Sequence, residues 1–381
     1  MKIGVDVRVL MDKEYSGISE YAYYLLKELL NRDDGNEYIF YYNSFREIDS
    51  KVFSWCTNKK VTFKKTAWPN KIFNYGLQKF ISWPKLDILT AEPDVFWSPH
   101  LNFSSFGSQK TKKILTVHDL SFLRYPEFFS FRKNFWHYSL NIREMIKKYD
   151  YLVAISENTK KDLIDLLNVP EEKIFVIYSG LNYESENLTE KEAADFVLQN
   201  DLSQKFIFYL GAIEPRKNVA GLIEAYNLLR DRHLPLTEYQ LLIAGASGWK
   251  NKHIYRKAAD SLYHEDIKFL GYVSRAERNW LYNNASLFIY PSYYEGFGFP
   301  PLEAMSHGLP VVTSDVSSLP EVTADAALNI NPYSALDIAR AMETLLLDDN
   351  LRNYYSKKGI ERSKSFDWVK TADNYLNLFN K

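Results

Sequence analysis

Two glutamates, Glu295 and Glu303, flank a glycine-punctuated turn. Upstream, the apolar run Ala285–Tyr290 is rich in aromatic and β-branched residues, which predicts a buried strand of a parallel sheet. Downstream, Pro300 and Pro301 predict a helix start, because a missing N–H costs nothing there. A strand end, a glycine turn and a helix N-terminus with two carboxylates suit a ligand that carries hydroxyl and phosphate groups. The simpler alternative is that Glu303 complements its helix dipole and Glu295 is solvated.

Arg216 and Lys217 form a pair of cations beside another predicted helix start. They lie between the predicted strand Phe206–Leu210 and a helix for which Asn218 is a natural N-cap. The positive charges of the two side chains and the positive end of the helix dipole would meet at the carboxyl end of a strand. Such a place favours a diphosphate. The alternative is a pair of ordinary solvated surface cations.

Two further candidates belong to the first half of the chain. His118 ends the predicted strand Lys113–Val117, at the sheet edge where α/β proteins bind ligands. Its imidazole can hold a hydroxyl group, although a histidine at a strand end is often structural. The neighbouring Asp119 is predicted to orient or cap. Gly17 lies in the loop after the first predicted strand, where it either turns a backbone N–H toward a phosphate or forms a tight turn.

The segment in which seven residues separate two glutamates resembles the signature of the retaining glycosyltransferases of family 4, also called group 1. The resemblance extends over nearly the whole chain and implies transfer of a sugar from a nucleotide donor. It implies that Glu295 holds hydroxyls of the donor sugar and that Glu303 accepts hydrogen bonds from the ribose. The backbone of Phe297, Gly298 and Phe299 would line the sugar.

The same resemblance gives roles to the remaining candidates. Arg216 and Lys217 would hold the donor phosphates, and because they would stabilise the departing diphosphate, no obligatory metal or other cofactor is expected. His118 would contact the donor sugar, Gly17 would face the phosphates, and the backbone near Val273 would hold the base. The residues predicted to be catalytic are His118, Glu295, Arg216 and Lys217.

The elements that must position these residues alternate between strand-like and helical patterns, which predicts parallel sheets covered by helices. At 381 residues the chain suits two domains. The resemblance implies an α/β fold of the GT-B architecture, with two Rossmann-like doubly wound domains facing a cleft. We place an N-terminal acceptor-side domain at 1–182, a donor domain at 183–360, and a final helix at 361–381 that crosses back onto the N-terminal domain.

The predicted strands are Lys2–Val7, Glu37–Tyr42, Val95–Trp97, Lys113–Val117, Tyr151–Ala154, Ile174–Ile177, Phe206–Leu210, Gln240–Ala244, Ile267–Phe269, Leu287–Tyr290 and Val311–Thr313. The predicted helices are Ser19–Leu30, Asn158–Leu167 with Ser156 as its cap, Thr189–Gln199, Val219–Leu229, Arg275–Tyr282, Leu302–Ser306, Ala335–Leu347 and Trp368–Phe379.

Composition excludes several classes of function. With 47 basic and 48 acidic residues the formal net charge is −1, so no nucleic-acid partner is expected. The single cysteine, Cys56, excludes an intramolecular disulfide and a cysteine-based zinc site, which fits a reducing cytosol. The N-terminus lacks the pattern of a signal peptide, and no run suits a transmembrane helix. We therefore expect a cytoplasmic protein.

One stretch of the chain is strongly basic. Residues 51–85 contain eight lysines and no acidic residue, interleaved with aromatic side chains. Such a segment suits peripheral binding to an anionic membrane surface, where a lipid-linked acceptor could be reached from the cytosolic face. The alternative is a solvated basic surface whose aromatic side chains belong to the core.

The leading hypothesis is a retaining hexosyltransferase, with mannose as the candidate sugar. It would use a nucleotide-sugar donor and a glycan or lipid-linked acceptor in cell-surface polysaccharide synthesis. Two alternatives stay open. A nucleotide-sugar epimerase of related fold would turn over donor without acceptor, and a non-catalytic nucleotide-sugar-binding protein would keep the pocket without transfer. A NAD-dependent dehydrogenase is disfavoured because no Gly-x-Gly-x-x-Gly follows a strand.

Overall fold

The computed structural model of the chain describes residues 1–11, 17–32, 35–45, 61–69, 74, 83–182, 186–232 and 236–381. The chain divides into two compact units. The first unit contains Met1–Arg124, Phe131–Gly180 and Asp367–Lys381, and the second contains Tyr125–Ser130 and Leu181–Phe366. The change of unit near residue 180 lies close to the boundary placed at 182. The short segment 125–130, which the sequence pattern assigned to the first domain, groups with the second unit.

The first unit is built on a parallel sheet. Its strands are β1 (Lys2–Asp6), β2 (Glu37–Asn43), β3 (Val61–Thr66), β4 (Val95–Ser98), β5 (Lys112–Val117), β6 (Tyr151–Ala154) and β7 (Ile174–Val176). They lie in the order β3-β2-β1-β4-β5-β6-β7, and each adjacent pair is parallel. The direction of chain progress therefore reverses between β1 and β4, as in a doubly wound sheet.

The helices of the first unit are α1 (Gly17–Asn31), α2 (Leu86–Leu89), α3 (Ser121–Arg124), α4 (Phe131–Leu140), α5 (Ile142–Ile146), α6 (Glu157–Leu167) and, at the end of the chain, α15 (Trp368–Asn380). The predicted cap Ser156 is confirmed, since its hydroxyl accepts a 3.0 Å hydrogen bond from Thr159 N. The final helix packs against α1, where the hydroxyls of Tyr21 and Tyr375 lie 2.7 Å apart.

The second unit repeats the same plan. Its strands are β8 (Phe206–Leu210), β9 (Gln240–Ala244), β10 (Ile267–Gly271), β11 (Leu287–Tyr290), β12 (Val311–Ser314) and β13 (Leu328–Ile330). They lie in the order β10-β9-β8-β11-β12-β13, again parallel, so the reversal falls between β8 and β11. All residues of β9, β11 and β12 are buried, as expected for strands covered on both faces.

The helices of the second unit are α7 (Glu190–Asn200), α8 (Val219–Arg232), α9 (Lys252–Ala259), α10 (Arg275–Asn284), α11 (Phe299–Ser306), α12 (Leu319–Thr323), α13 (Ala335–Leu347) and α14 (Asp349–Ser363). Segment 125–130 is held on this unit by Trp249, whose indole N–H donates to Phe128 O at 2.7 Å. The Trp249 ring also stacks on Phe129, with centroids 5.8 Å apart.

The predicted strands are confirmed, with ends shifted by at most two residues. The pattern missed β3 and β13, which lie at the edges of their sheets. The centre of β3 is polar and exposed, and β13 has three residues, so neither shows the apolar run of a buried strand. Most of the basic segment 51–85 lies outside the described residues, and of its lysines the structure describes Lys64, Lys65 and Lys85.

Candidate functional site

The reversal point of the second sheet brings together residues far apart in sequence. Arg216 and Lys217 follow β8, and Glu295 follows the adjacent strand β11. Because parallel strands end at the same edge, residues just beyond β8 and β11 meet at the place where doubly wound sheets bind ligands. Each of these residues was predicted separately from the sequence, and the structure places Glu295 in direct contact with both cations.

One carboxylate bridges the two cations. Glu295 Oε1 lies 2.7 Å from Lys217 Nζ, and Glu295 Oε2 lies 3.0 Å from Arg216 Nη1. Arg216 Nη2 also lies 3.0 Å from Glu214 Oε1, and Lys217 donates to Tyr290 Oη at 2.7 Å. All four ion-pairing side chains are largely buried. Two cations and two carboxylates thus form a compact cluster without net charge.

The charged state of Glu295 follows from this environment. Burial raises its pKa, but the attraction of Lys217 and then of Arg216 outweighs burial and brings the pKa to about 2. Burial lowers the pKa of Lys217 below its ordinary value, against the opposing attraction of Glu295. At neutral pH Glu295 is therefore a carboxylate that accepts hydrogen bonds.

The cation pair is positioned by a tight turn. Pro215–Lys217 form one turn of 3-10 helix, and Asn218 follows with φ +55°. The predicted capping role of Asn218 is confirmed, because its Oδ1 accepts from Gly221 N at 3.2 Å. A Cβ at Gly221 would lie 2.4 Å from that same oxygen, so a side chain at position 221 would displace the cap. The backbone carbonyl of Arg216 accepts from Tyr293 N at 2.9 Å, which ties this turn to the loop after β11.

The glycine turn after Glu295 is held by the loop that follows β12. Glu295 N donates to Ser317 Oγ at 3.0 Å, and Ser318 Oγ lies 3.0 Å from Glu295 O and 2.7 Å from Phe297 O. Gly298 has φ +118° and caps α11, whose first residues include the two prolines, as predicted. The serines were missed by sequence reasoning, because a Ser-Ser pair in a loop carries no distinctive signal.

The other predicted residues of the second unit lie apart from the cation contacts. Glu303, on α11, accepts from Tyr282 Oη at 3.0 Å and lies 3.6 Å from Arg278 Nη1, both on α10. Val273 is buried just beyond β10. Phe297 is buried and Phe299 is half-buried, with ring centroids 5.0 Å apart.

In the first unit, His118 lies just beyond β5. Its Nε2 donates to Pro99 O at 2.8 Å, and its ring meets Tyr21 edge-on at 4.7 Å. Burial lowers the pKa of His118, so the imidazole is neutral at pH 7, with Nε2 as donor and Nδ1 as acceptor. Asp119 accepts from Ser121 N at 2.9 Å, which agrees with its predicted capping role.

Gly17 differs from its predicted setting. It is the first residue of α1 and is exposed, whereas a loop had been expected there. Among the described residues, a Cβ added at Gly17 would meet no atom within 4 Å. The described surroundings of Gly17 therefore leave room for a side chain.

Sequence reasoning missed the residues at the reversal point of the first sheet. Arg8 Nε lies 2.8 Å from Asp6 Oδ1 and Arg8 Nη2 lies 2.6 Å from Asp6 Oδ2, while Nη2 also donates to Phe103 O at 2.8 Å. Burial raises the pKa of Asp6, but Arg8 outweighs burial and lowers it. Nearby His100 has its pKa lowered by burial to about 4. The signal available in the sequence was an Asp-x-Arg that begins at the last residue of the first strand.

Two kinds of feature are absent from the described part of the chain. No helix there is both long enough and apolar enough to cross a bilayer. Nor do three or more His, Cys, Asp or Glu side chains gather there in a way that could hold a metal ion.

Two doubly wound sheets, each with ionised side chains at its reversal point, define a two-unit α/β protein of the GT-B architecture. The family models agree. Residues 190–362 match "Glycosyl transferases group 1", and residues 15–185 match "Glycosyltransferase Family 4". The chain belongs to this family, the group 1 glycosyltransferases.

A curated relative supports the family assignment, and solved structures support the fold. The O-antigen chain mannosyltransferase B of Escherichia coli is 30% identical over 272 residues, covering 70% of each chain. Sucrose-phosphate synthase from Thermosynechococcus elongatus superposes with a TM-score of 0.74 at 18% identity, covering 100% of this chain and 98% of the other. Anabaena HepE with UDP-glucose gives a TM-score of 0.71 at 15% identity, with coverage of 100% and 99%. At these identities the structures establish the fold.

Proposed function

We propose that this glycosyltransferase is a retaining hexosyltransferase that moves a hexose, with mannose as the first candidate, from a nucleotide sugar to an acceptor. The acceptor would be a glycan or a lipid-linked glycan in cell-surface polysaccharide synthesis. The name of the Escherichia coli relative supports both the sugar and the process. The observation that carries the proposal is the Glu295 carboxylate shared between Arg216 and Lys217 at a ligand-binding sheet edge.

The shared carboxylate suits a site that exchanges partners. The oxygens of a donor diphosphate are negatively charged, so Arg216 and Lys217 can donate hydrogen bonds to them and give up some of their contacts with Glu295. Glu295 then has oxygens available for hydroxyl groups of the donor sugar. Charge-assisted hydrogen bonds of this kind are roughly twice as strong as neutral ones.

The cations would also act during the reaction. Transfer breaks the bond between the anomeric carbon and the diphosphate oxygen, forms a bond to the acceptor oxygen, and releases the acceptor proton. Arg216 and Lys217 would stabilise the charge that develops on the departing diphosphate, without an obligatory metal. Glu295, ionised at neutral pH, would stabilise positive charge on the sugar ring and would not serve as a proton donor.

The remaining roles are proposals that rest on the family resemblance. Glu303 would accept hydrogen bonds from the ribose, and the backbone near Val273 would hold the base. The backbone of Phe297, Gly298 and Phe299 would line the sugar. Gly17 would face the phosphates, and neutral His118 would accept a hydrogen bond from a sugar hydroxyl through Nδ1.

A panel of nucleotide sugars tests the donor. Thermal unfolding would be followed with GDP-mannose, UDP-glucose, UDP-galactose and UDP-N-acetylglucosamine, and with GDP and UDP alone as controls. A matching donor at 100 times its Kd stabilises the folded state by about 2.7 kcal/mol. The donor that shifts the Tm most is then incubated with glycan acceptors, and the anomeric configuration of the product is read by NMR.

Each outcome separates the candidate functions. Acceptor-dependent product with the donor's anomeric configuration is expected, and an inverted product contradicts the retaining assignment. Conversion of the donor without acceptor would favour an epimerase. A donor that stabilises the protein but is never transferred would favour a non-catalytic binding protein, and no stabilisation by any nucleotide sugar would contradict the donor site itself.

A further inference from the structure

Four aromatic rings of the second unit are stacked in a column. The Tyr125 ring stacks on Phe128, with centroids 5.3 Å apart, and Phe128 stacks on Tyr293 at 5.7 Å. Tyr293 in turn stacks on Tyr333 at 4.9 Å, with an interplanar angle of 29°. Tyr125 and Phe128 belong to segment 125–130, while Tyr293 and Tyr333 lie in the loops after β11 and β13. This aromatic column therefore joins three stretches of chain that are distant in sequence.

The outer end of the aromatic column is open to solvent. Tyr333 is 63% exposed, whereas the other three residues are half-buried. Burial and a hydrogen bond to the Tyr125 hydroxyl raise the pKa of Tyr333 to about 12, and the charge of Glu127 contributes to the rise. The Tyr333 ring is thus held by stacking on one side and by its hydroxyl. Its other face remains available, although large aromatic rings normally contribute to stability by being buried.

The aromatic column is anchored to the segments that carry the charged cluster. Tyr293 N donates to Arg216 O at 2.9 Å. Asn218, the residue after the cation pair, donates from Nδ2 to Pro332 O at 2.7 Å. Because Pro332 directly precedes Tyr333, this bond holds the loop that carries the open ring. The exposed face of Tyr333 therefore has a fixed position relative to the cation pair.

The order of strands places the aromatic column on one side of the proposed donor. Val273, proposed to lie near the base, follows β10 at one edge of the second sheet, and the cation pair follows β8. Tyr293 and Tyr333 follow β11 and β13, on the side of β8 away from β10. A donor with its base near Val273 and its diphosphate on the cations would direct its sugar toward that side. The acceptor must approach the sugar, and this step rests on the proposed function.

We propose that the aromatic column binds a sugar ring of the acceptor glycan on the exposed face of Tyr333. The face of an aromatic ring carries partial negative charge. One face of a pyranose ring presents C–H groups with partial positive charge, so the two surfaces attract each other. Glu127, an exposed carboxylate of segment 125–130, can accept hydrogen bonds from sugar hydroxyls. A protein partner is less suitable, because a single ring face is much smaller than the contiguous patch that a stable protein interface needs.

Saturation-transfer difference NMR of the full chain tests the binding of saccharides. The probes are mannotriose, maltotriose and triacetylchitotriose, each with and without GDP and UDP. We expect the ring C–H protons of at least one trisaccharide to receive saturation from the parent protein. Tyr333→Leu is expected to raise the Kd of that trisaccharide about three- to tenfold, the scale of one lost aromatic contact. Tyr333→Phe keeps the ring face and should bind much as the parent does.

A second variant tests the carboxylate. Glu127→Gln should weaken binding of the same trisaccharide, because a charge-assisted hydrogen bond becomes a neutral one. The backbone carbonyl of Glu127, which accepts from Lys250 Nζ at 2.8 Å, is unchanged in this variant. Segment 125–130 should therefore keep its contact with the second unit.

Steady-state transfer shows whether the bound saccharide is the acceptor. Tyr333→Leu should raise the acceptor KM by the same factor as the Kd, with kcat and the donor KM unchanged. This pattern is expected when a contact is made equally in the ground state and in the transition state. A higher donor KM with an unchanged acceptor KM would place the ring against the donor sugar and would contradict the proposal.

Tyr354→Leu is the matched control, since Tyr354 is a 48% exposed tyrosine on α14 of the same unit. It should bind trisaccharides and nucleotides like the parent. Tyr333→Leu should also bind GDP and UDP with the affinity of the parent, because Arg216 and Lys217 are retained. Far-UV circular dichroism should be the same for every variant.

Three outcomes would overturn the proposal. Binding of none of the trisaccharides, or equal affinity of the parent and Tyr333→Leu, would show that the aromatic column holds no sugar ring. An equal loss in Tyr354→Leu would show that any exposed tyrosine contributes. Binding that depends on Tyr333 without a change in acceptor KM would remove the acceptor role. Failure of the donor panel would contradict the proposed function and leave the trisaccharide titrations unaffected, so the two proposals are tested separately.

Discussion

The two units share one plan of strands, yet their reversal points hold different chemistry. At the carboxyl ends of β1 and β4, one carboxylate and one guanidinium form a closed pair, because Arg8 donates to both oxygens of Asp6 and also to Phe103 O. Beyond β8 and β11, one carboxylate is divided between two cations, Arg216 and Lys217. The same topology thus holds a carboxylate paired with one cation in the first unit and a carboxylate shared by two cations in the second.

This difference indicates which pair is structural and which is suited to a ligand. A bidentate pair has little to gain from an incoming anion, since its guanidinium is already occupied. Glu295 instead makes one ion-pair contact with each of two cations, and Arg216 has a second carboxylate, Glu214, beside it. A diphosphate can therefore take the place of Glu295 at both cations while Arg216 keeps its contact with Glu214. The topology alone would not separate the two units, because each reversal point is an equally good place for a ligand.

The largest expected effect is that of Glu295→Gln, compared with Asp6→Asn. Each substitution removes one partner of a buried ion pair, which typically costs about 3–5 kcal/mol of stability. Only Glu295→Gln should also lower kcat, by about 10²–10³, the range seen when a group that stabilises the transition state is removed. The measurements are urea unfolding and steady-state transfer, both at a temperature where each variant is folded.

The comparison fails if the two variants lose activity equally once both are folded. An equal loss would mean that the Asp6–Arg8 pair also takes part in transfer. Retention of full kcat in Glu295→Gln would remove Glu295 from the proposed reaction.

Lys217→Ala is expected to weaken donor diphosphate binding by about 1–3 kcal/mol, the scale of a hydrogen bond to a charged group. Calorimetric titration with GDP and UDP measures the effect directly. Lys268→Ala is the control. Lys268 Nζ lies 2.7 Å from Asp201 Oδ2, and neither residue belongs to the cation cluster. Unchanged nucleotide affinity in Lys217→Ala would contradict the phosphate assignment.

The sequence predicted this cluster in parts. Arg216, Lys217 and Glu295 each follow a recognisable apolar strand, so their place at the carboxyl edge could be inferred. Their direct contact could not, because it depends on β8 and β11 being neighbours, and strand order is a long-range property. Gly221 illustrates the same limit. The sequence does not show that a side chain at this position would collide with the Asn218 side chain, because that contact depends on the folded geometry.

Other features left weak signals in the sequence. The edge strand β3 lies in the basic stretch and lacks an apolar run, so periodicity did not reveal it. Segment 125–130 joins the second unit through stacking and hydrogen bonding to Trp249, which is more than a hundred residues away. Helix α4 was not predicted, because large apolar side chains of this helix face solvent and the segment lacks the apolar stripe of a half-buried helix.

The low pKa of Glu295 should also be visible in the dependence of stability on acidic pH. The folded-state pKa of Glu295 is about 2, below the ordinary value of 4.5, so its contribution to stability is present above pH 4.5 and is lost as pH falls toward 2. One such group contributes at most about 1.4 kcal/mol per pH unit in that window. Unfolding free energies measured from pH 6 to 3 should therefore fall less steeply in Glu295→Gln than in the parent.

Asp6 also has a lowered pKa, so the unfolding free energy of Glu295→Gln should still fall as the pH is lowered. In the double variant with Asp6→Asn this dependence on pH should be weaker again. Identical slopes for parent and Glu295→Gln would show that Glu295 is not ionised by its two cations in the folded state.

The smallest expected effect belongs to Glu303→Gln, since Glu303 contacts Tyr282 and Arg278 and lies outside the cation cluster. Gln keeps one acceptor oxygen but loses the charge, so nucleotide affinity should fall by about 0.5–1.5 kcal/mol. If Glu303 binds the ribose, the loss should be the same for GDP and GDP-mannose and absent for pyrophosphate, which has no ribose. Tyr282→Phe removes a hydrogen bond to the same carboxylate without changing its charge, and should weaken nucleotide binding less. If Glu303→Gln and the parent bind GDP with equal affinity, Glu303 does not bind the ribose. If the variant loses the same affinity for GDP and for pyrophosphate, Glu303 acts with Arg216 and Lys217 on the phosphates.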